Sequence, residues 1–399
     1  MSLIALTAKN IFTPLEAIED GVMVIEDGTI RAVGARGEIS LPKGARLVEM
    51  GDRILAPGFV DLHIHGGGGR GVMEASPEAL DTIARMALRH GTTSFLQTTL
   101  SAPVATIVKS LEGLGKLIRP RRANAQRGAA AAELLEIHLE GPFLSAERRG
   151  VHPAEHLQKP SPALFERFWE ASGETVKVLT LAPELEGALE LQTLAQGKGV
   201  KVALGHSDAT FDETERAIAA GATHAVHVFN AMRPFAHREC GIIGAILTDD
   251  RIEAEVIADG VHVAPTALRL LLRAKGAAHI LLVTDATSAT GMGAGKYRLG
   301  EMEIFVREDP QTKSLACRNA DGKLAGSVLT QDRAVRNMAA FTGASLREAV
   351  KMASWNPARV LGIENRKGCL KPGADADVVV LEPDGTVVAT MARGAAAFL

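Results

Sequence analysis

The sequence predicts an α/β fold, a (β/α)8 barrel of the TIM type that carries a small β-sandwich domain. Eight short apolar segments alternate with helical patterns over roughly the 250 residues that such a barrel needs. Both ends of the 399-residue chain carry a hairpin pattern that is too small to fold alone. We therefore predict a small domain from residues 1–57 and 357–399, and a barrel from residues 58–356 with a β insertion near residues 296–326.

The small domain is predicted from two matching turns. Apolar segments flank Asp27-Gly28 near the N-terminus and Asp384-Gly385 near the C-terminus. Such dipeptides favour tight hairpins because both turn positions adopt positive φ. Domain ends often lie close together, so one small sheet or sandwich that is built from both ends would bury the apolar faces of both hairpins.

The barrel is predicted from eight strand candidates. Several are near-continuous runs of Val, Ile, Leu and Ala, as expected for parallel strands that are buried on both faces. The candidates are Phe59–His65, Thr92–Thr98, Leu134–Glu140, Val176–Leu181, Lys201–His206, Thr223–Val228, Ile252–Ala258 and Ile280–Asp285. Helices are predicted at residues 77–89, 212–220, 265–275, 331–340 and 346–355, the first of them capped by Ser76 and begun by Pro77.

Composition and charge exclude several classes of function. Hydrophobic residues make up 46% of the chain and charged residues 23%, an ordinary globular balance. A net charge of −3 offers no positive field to nucleic acid or to acidic membranes, and every apolar run ends before the about 18 residues of a membrane span. The three cysteines are far apart, which excludes a disulfide scaffold and suits a reducing compartment. With no secretory signal visible, we expect a cytoplasmic protein.

Metal-ligating side chains recur at the ends of the predicted strands. His63 and His65 lie two residues apart, so both imidazoles face one side of their strand, although this pair alone is a weak signal. The other candidates are Glu140, His206, His227 and Asp285, at or near the ends of the third, fifth, sixth and eighth strands. This end of a barrel carries the catalytic groups, and a buried carboxylate is costly unless a cation pairs with it. The donor set favours Zn²⁺, with Fe²⁺ as the alternative, over Mg²⁺ or Ca²⁺.

The motifs around these residues resemble those of the N-acetylglucosamine-6-phosphate deacetylase family, which lies within the amidohydrolase superfamily. The matching motifs are His63-Ile64-His65-Gly66, His138-Leu139-Glu140-Gly141-Pro142, Gly205-His206-Ser207, His227-Val228-Phe229-Asn230-Ala231-Met232, Ile257-Ala258-Asp259-Gly260-Val261-His262, Thr284-Asp285-Ala286 and Lys371-Pro372-Gly373-Ala374-Asp375-Ala376-Asp377-Val378. They cover nearly the whole chain in the expected order. The first and last occur throughout the superfamily, whereas HLEGP and HxFNAM are specific to the deacetylases.

The resemblance implies a ligand set and a catalytic pair. The ligands of one divalent ion would be Glu140, His206 and His227. Because the chain keeps His63 and His65, it allows a second ion that Glu140 bridges and Asp285 contacts. Asp285 would take a proton from water as general base and return it to the departing amine as general acid. His152 would donate a hydrogen bond to the carbonyl oxygen as charge develops there.

The resemblance also implies a sugar phosphate site. The substrate-binding residues would be Val151, His152, Asn230, Ala231, Arg238, Asp259, His262, Leu324, Ala325 and Gly326. The guanidinium of Arg238 is a fixed fork that suits phosphate oxygens. One departure affects this loop, because Cys240 stands where the family usually has proline after the Arg-Glu pair. Family members are typically dimers, so we expect a homodimer in which the partner subunit can complete the anion site.

The expected activity is hydrolysis of N-acetyl-D-glucosamine 6-phosphate to D-glucosamine 6-phosphate and acetate, a step of amino-sugar catabolism and recycling. Its only expected partner besides a second copy of the chain is this small-molecule substrate. Two alternatives stay open. The same fold could act on N-acetylgalactosamine 6-phosphate or another acyl amine, or the barrel could be a non-catalytic scaffold. Metal analysis after gentle purification separates the scaffold from the enzymes, because a scaffold should bind no metal.

Overall fold

A computed structural model of the chain describes residues 3–123 and 130–398, and it begins with five strands. They are β1 (Leu3–Phe12), β2 (Ala17–Glu26), β3 (Thr29–Ala35), β4 (Arg46–Glu49) and β5 (Ile54–Pro57). The predicted turn joins β2 to β3, with φ of 48° at Asp27 and 81° at Gly28. Both values lie in the left-handed region that this hairpin turn requires.

Eight parallel strands then form the barrel, interrupted by one short hairpin. The hairpin consists of β7 and β8. The barrel strands and this hairpin are, in chain order, β6 (Phe59–Ile64), β7 (Gly66–Gly67), β8 (Arg70–Gly71), β9 (Thr92–Thr98), β10 (Glu133–Leu139), β11 (Val176–Leu181), β12 (Lys201–Leu204), β13 (His224–Ala225), β14 (Glu253–Val256) and β15 (Ile280–Leu282). Each barrel strand pairs with its predecessor, and the ring closes where the Asp285 N–H donates to the His63 carbonyl oxygen at 2.9 Å. The predicted barrel is confirmed.

Two further groups of strands complete the molecule. The predicted insertion is a three-stranded antiparallel sheet of β16 (Gly295–Leu299), β17 (Met302–Glu308) and β18 (Leu315–Asn319). The C-terminal strands are β19 (Val378–Leu381), β20 (Val387–Ala392) and β21 (Ala395–Phe398). They join the N-terminal strands in one sheet of order β21-β20-β19-β5-β1-β2-β3, with β4 also paired to β1. The two chain ends therefore build the small sheet together, as expected.

Ten α-helices surround the barrel strands or follow them in the described residues. They are α1 (Pro77–Arg89), α2 (Val104–Ala123), α3 (Pro162–Ala171), α4 (Ala188–Gly197), α5 (Phe211–Ala219), α6 (Gly241–Thr248), α7 (Pro265–Lys275), α8 (Gln331–Thr342), α9 (Leu346–Ala353) and α10 (Trp355–Leu361). The hydroxyl of Ser76 accepts the Ala79 N–H, which confirms the predicted start of α1. The helix predicted over residues 346–355 ends earlier, because Ser354 leaves helical geometry (φ −132°, ψ −74°) and α10 begins after it. No helix of the described ranges is both long and apolar enough to span a membrane.

The small sheet and the barrel have separate hydrophobic cores. Leu6, Ile11, Met23, Leu55 and Val378 are among the residues that form the core of the small sheet. We propose the domain division given above, with residues 1–57 and 357–399 in the small domain and 58–356 in the barrel. Helix α10 crosses the second boundary and packs on β6 and β15 of the barrel.

Candidate metal centre and active site

Six side chains from five barrel strands or their ends meet at the C-terminal end of the barrel. Glu140 lies at their centre. Its Oε1 atom is 3.3 Å from His63 Nε2, 3.3 Å from His206 Nε2 and 3.2 Å from His227 Nε2. Its Oε2 atom is 3.2 Å from His65 Nε2, which is also 3.2 Å from Asp285 Oδ1. All six residues predicted as ligands therefore belong to one cluster of contacts.

These distances suit divalent cations. Donor atoms fall into three groups in which all members lie within 4.8 Å of one another: His63, Glu140 and His227; His63, His65 and Asp285; Glu140, His152 and His206. Ligands at about 2.1 Å from a tetrahedral ion are about 3.4 Å apart, close to the separations around Glu140. The buried Nε2 atom of His63 has no hydrogen-bond partner within residues 3–123 and 130–398. The clusters thus form a candidate divalent-metal site.

The charges within the cluster also favour a bound divalent cation. Burial lowers the pKa of His63, but the charge and hydrogen bond of Glu140, together with Glu255 and Asp285, raise it more, and the resulting pKa lies well above the usual value. Burial likewise opposes ionisation of Glu140, yet the charge of His63 and hydrogen bonds from His152, His206 and His227 hold its pKa well below the usual value. The carboxylates therefore require positive charge beside them, which a divalent cation supplies better than protonated imidazoles do.

Hydrogen bonds beneath the cluster orient the imidazoles. The Nδ1 atom of His206 lies 3.0 Å from the Arg148 carbonyl oxygen, to which only an N–H can bond, so Nε2 keeps a free lone pair. His63 presents Nε2 to the cluster for the same reason, because its Nδ1 atom lies 3.2 Å from Oε2 of Glu255. Glu255 is fully buried, and its other oxygen lies 3.3 Å from His224 Nε2. Such outer partners fix the orientation of metal-binding imidazoles.

Strained backbone places three of these side chains. His206, His227 and Asp285 have φ values of 46°, 30° and 50°, a region that residues other than glycine rarely adopt. Each residue lies two or three positions beyond the last residue of its strand. Strain of this kind persists only where the surroundings enforce it, and it is common in active sites.

His152 lies beside the same carboxylate with its tautomer defined. The backbone N–H of Ser101 donates to His152 Nδ1 at 3.2 Å, and the Ser101 hydroxyl lies 2.9 Å from the same atom. The neutral ring therefore carries its proton on Nε2, which is 3.6 Å from Glu140 Oε2. His152 thus presents an N–H donor at the edge of the ligand cluster.

The residues predicted to bind phosphate lie at different depths. The His262 side chain is buried, and its Nδ1 atom is 2.7 Å from Oδ2 of Asp259, whose charge raises the pKa of His262 against the effect of burial. Asn230 is half-buried and donates its side-chain amide to the His227 carbonyl oxygen at 3.2 Å. Arg238 is instead exposed in the loop before α6. The described structure of one chain does not bring Arg238 into the cluster.

The segment Leu324-Ala325-Gly326 passes directly beside Asp285. Ala325 is buried, and Gly326 has φ of 54°. A Cβ atom added to Gly326 would lie 3.0 Å from the Asp285 carbonyl oxygen and 2.6 Å from Thr287 Cγ2, so glycine is required for this close approach. The next residue, Ser327, donates its N–H to the Asp285 carbonyl oxygen at 2.7 Å. This segment therefore holds Asp285 in place.

A cavity of about 740 Å³ opens onto the cluster. His65 and His152 are the members of the site that line it. Val151, one of the predicted substrate-binding residues, also lines it and packs against the core of the insertion sheet. A cavity of this size, next to convergent polar groups, is typical of a small-molecule site.

The sequence of the chain matches a known family over most of its length. A family model described as the amidohydrolase family matches residues 54–397, which include all six residues of the ligand cluster. The chain belongs to the amidohydrolase family. This agrees with a barrel whose strand ends present histidines and carboxylates to a metal site.

Named relatives of this amidohydrolase are similar to it along nearly the whole chain. It is 38% identical to N-acetylglucosamine-6-phosphate deacetylase from Bacillus subtilis (98% of this chain, 96% of the relative). It is 39% identical to N-acetylgalactosamine-6-phosphate deacetylase from Escherichia coli O157:H7 (94% of each). Its fold matches, with a TM-score of 0.90, 36% identity and 99% coverage of both chains, a mutant of the Mycobacterium smegmatis N-acetyl-D-glucosamine-6-phosphate deacetylase in complex with N-acetyl-D-glucosamine-6-phosphate.

Three residues of the amidohydrolase site were missed by sequence reasoning. Glu255 and Ser101 orient His63 and His152, and the buried Asp61 accepts the Thr284 hydroxyl at 2.6 Å and the His63 N–H at 3.2 Å. Burial raises the pKa of Asp61 to about 7. An acidic residue inside an apolar strand candidate was the available signal for Asp61 and Glu255. Ser101 offered none, since it lies in a loop without a motif.

Proposed function

We propose that this amidohydrolase deacetylates N-acetyl-D-glucosamine 6-phosphate, giving D-glucosamine 6-phosphate and acetate in amino-sugar catabolism and recycling. The observation that carries the proposal is the convergence of Asp285 and four histidines on Glu140, with His152 beside them. The names of the relatives support the substrate. Their similarity extends over at least 94% of this chain for the two proteins compared above.

We assign the metal ligands on the contacts of Glu140. The ligands of a first divalent ion would be Glu140, His206 and His227, and those of a second would be His63, His65, Asp285 and the bridging Glu140. Zn²⁺ fits these donors best, and Fe²⁺ is the alternative. When bound, such an ion lowers the pKa of water and polarises a carbonyl group.

Asp285 acts as general base and then general acid. Burial raises its pKa, but the hydrogen bond from His65 and the charges of nearby histidines together lower it more, so the carboxylate is ionised and can accept a proton. It takes this proton from the attacking water and transfers it to the nitrogen of the leaving amine. The amine is a poor leaving group until it is protonated, so the second transfer is as necessary as the first.

His152 stabilises the oxygen on which negative charge develops. Its Nε2–H is the available donor because Ser101 occupies Nδ1. A donor that is already oriented costs no reorganisation when the tetrahedral intermediate forms. This assigns His152 to the acetamide carbonyl oxygen and makes Asp285 and His152 the catalytic pair.

The sugar phosphate would be held on the side of β13 and β14. We propose that Asn230, Ala231, Asp259 and His262 bind it within the subunit, while Val151, Leu324, Ala325 and Gly326 line the sugar. Arg238 is exposed three residues after Phe235, which is 55% exposed. An exposed arginine and a neighbouring exposed aromatic residue suit a subunit contact, so we propose a homodimer in which Arg238 reaches the phosphate of the partner's substrate.

One second candidate substrate is N-acetyl-D-galactosamine 6-phosphate. It is favoured by the relative from Escherichia coli O157:H7, which is as similar to this chain as the glucosamine enzymes are. The two sugars differ in the orientation of one hydroxyl group. We favour the glucosamine substrate because relatives of that name predominate among those compared.

The deciding experiment is a comparison of kcat/KM for both epimers by the purified protein, with its metal content measured in parallel. We expect one or two ions per subunit and a higher kcat/KM for the glucosamine epimer. A higher value for the galactosamine epimer would move the assignment to that sugar. Absence of turnover of both epimers by metal-loaded protein would refute the proposed activity. We place the protein in the cytoplasm, in keeping with its three free cysteines.

A further inference from the structure

The 740 Å³ cavity lies on one side of the ligand cluster. The two oxygens of Glu140 divide the cluster, because Oε1 contacts His206 and His227 whereas Oε2 contacts His65 and faces His152. Only the His65 and His152 side opens into the cavity. Among the described residues, those that line it do not include Asn230, Arg238 or His262, the candidates for binding phosphate.

This arrangement defines the directions of the groups on the scissile carbonyl carbon. If His152 binds the carbonyl oxygen, the amide nitrogen with its sugar extends toward the phosphate residues after β13 and β14. The remaining substituent, which is the acyl chain, then extends to the opposite side, where His65 and His152 border the cavity. The methyl of an acetyl group is about the size of a water molecule, whose share of liquid volume is about 30 Å³. The cavity is far larger than that group requires.

The walls of the cavity are suited to an aliphatic chain. They include Met73, Leu100, Ala102, Leu299 and Met302. The insertion strands β16 and β17 form the outer wall, and their core packs directly on Leu100 and Val151. Three of the charged lining residues are neutralised by partners, since Lys296 Nζ is 2.6 Å from Glu303 and Glu74 is 2.9 Å from Arg70. The other two, Arg298 and Glu301, carry opposite charges, so the charged lining residues include both signs.

We propose that this cavity binds the acyl group of the substrate and that the protein hydrolyses aliphatic N-acyl amino sugar 6-phosphates with chains of about three to six carbons as well as acetyl. The inference rests on the proposed deacetylase function. The chemistry is unchanged. The C–N bond of the amide breaks, a bond forms between the carbonyl carbon and the water oxygen, and Asp285 moves the proton to the amine. The products are a longer carboxylic acid and the same amino sugar phosphate, with no other reactant.

The test measures kcat/KM for N-acetyl, N-propionyl, N-butyryl and N-hexanoyl glucosamine 6-phosphate. Each methylene buried in an apolar pocket improves binding by roughly fourfold, which offsets the loss of chain freedom. We expect kcat/KM for the hexanoyl substrate to stay within about tenfold of that for the acetyl substrate. A pocket that is shaped for a methyl group would instead reject each added methylene, because overpacking is costly.

Two variants narrow the cavity, and a third variant serves as a matched control. Ala102 lies just before α2 and Thr106 lies in its first turn. Both line the cavity, and Ala102→Phe and Thr106→Phe each place a ring there. Thr106 is exposed, so Thr106→Phe folds even if Ala102→Phe does not. Ala105 is exposed on the same helical turn but does not line the cavity, which makes Ala105→Phe the control. We expect at least a tenfold fall in the hexanoyl-to-acetyl ratio of kcat/KM in the narrowing variants and no change in Ala105→Phe.

The outcomes are distinct. Normal turnover of the acetyl substrate with a hundredfold loss at propionyl would overturn the inference and leave the proposed function intact. An equal fall for all chain lengths in Thr106→Phe would show that the cavity holds the sugar ring, which also overturns it. Absence of turnover with every chain length, in metal-loaded wild-type protein, would refute the proposed function and the inference together.

Discussion

The Nδ1 atom of His63 lies 3.2 Å from Oε2 of Glu255, a carboxylate that solvent does not reach. Burial alone would raise the pKa of Glu255, but hydrogen bonds from His224 and His63 hold it below its usual range. The interior of the barrel therefore carries a negative charge directly beneath the ligand cluster. This negative charge favours positive charge at Nε2, the other ring nitrogen of His63, which faces Glu140 and Asp285.

We predict that Glu255→Gln lowers the affinity of the second ion by about 10–100-fold, because the amide removes the charge that orients and polarises His63. Metal content per subunit, measured during titration with chelator, reports this loss independently of turnover. Glu253→Gln is the matched control on the same strand, since Glu253 pairs with Arg359 at 2.6 Å instead of a ligand. Equal chelator sensitivity in the two variants would contradict the role of Glu255.

Asp285→Asn is expected to lower kcat by about 10²–10⁴-fold, since an amide cannot accept the proton from water. The first ion should remain, because Glu140, His206 and His227 are unchanged. The measurement is kcat together with metal content. Turnover close to that of the wild-type protein would exclude Asp285 as the base.

His152→Ala should lower kcat by about 10²–10³-fold, the usual effect of removing one donor to a developing oxyanion. The variant Ser101→Ala removes one hydrogen bond to Nδ1 and keeps the backbone N–H, so a smaller loss is expected. Both variants should retain their metal. A change in KM alone, with kcat preserved, would assign His152 to ground-state binding instead.

Arg238→Ala should raise KM for the phosphorylated substrate far more than for the unphosphorylated sugar. If Arg238 serves the partner's site, a mixture of Arg238→Ala with Asp285→Asn should regain activity. In the mixed dimer, the subunit with an intact Asp285 receives Arg238 from its partner. A mixture no more active than the sum of its components would place Arg238 in its own subunit's site.

A pH-dependent contribution to stability is expected from Glu133. Burial raises the pKa of Glu133, but the charges of Lys367 and Arg366 lower it far below the usual value. Since the pKa is lower in the folded state, the unfolded chain binds the proton first, and stability falls as the pH drops below about 4.5. Above that pH, the full contribution of ionised Glu133 to the stability of the fold is present.

The corresponding measurement is urea unfolding of Glu133→Gln between pH 7 and pH 3. We expect a loss of about 3 kcal/mol at pH 7, because Lys367 is fully buried and loses a partner at 2.7 Å. The slope of stability against pH below pH 4 should decrease by up to about 1.4 kcal/mol per pH unit. In Glu382→Gln, which breaks the exposed pair with Arg53, the loss should stay below about 1 kcal/mol.

The sequence predicted the elements whose signals are local. Ser76 and Pro77 mark the start of α1, and Asp27-Gly28 marks the first hairpin, because caps and tight turns depend on a few adjacent residues. The ligand cluster was also predictable, since strand ends of a parallel barrel share one edge. The break at Ser354 was not, because it depends on how α9 and α10 pack against the barrel.

The rest of the site depends on tertiary contacts. Glu255 lies 192 positions from His63 in sequence, and only the closed barrel brings them together. His224 belongs to none of the sequence motifs, yet it shares Glu255 with His63. The position of Arg238 could not be derived either, because its proposed role involves a surface that one chain leaves exposed.

The end of the chain supports a strand near its beginning. A single residue, Gly58, separates β5 from β6, and its N–H donates to the Asp377 carbonyl oxygen at 2.9 Å, just before β19 pairs with β5. Proteolytic removal of the last three strands would therefore loosen the start of β6, the strand that carries His63 and His65 at its other end. Such a clipped protein would lose its ions although the missing piece supplies no atom to hold them.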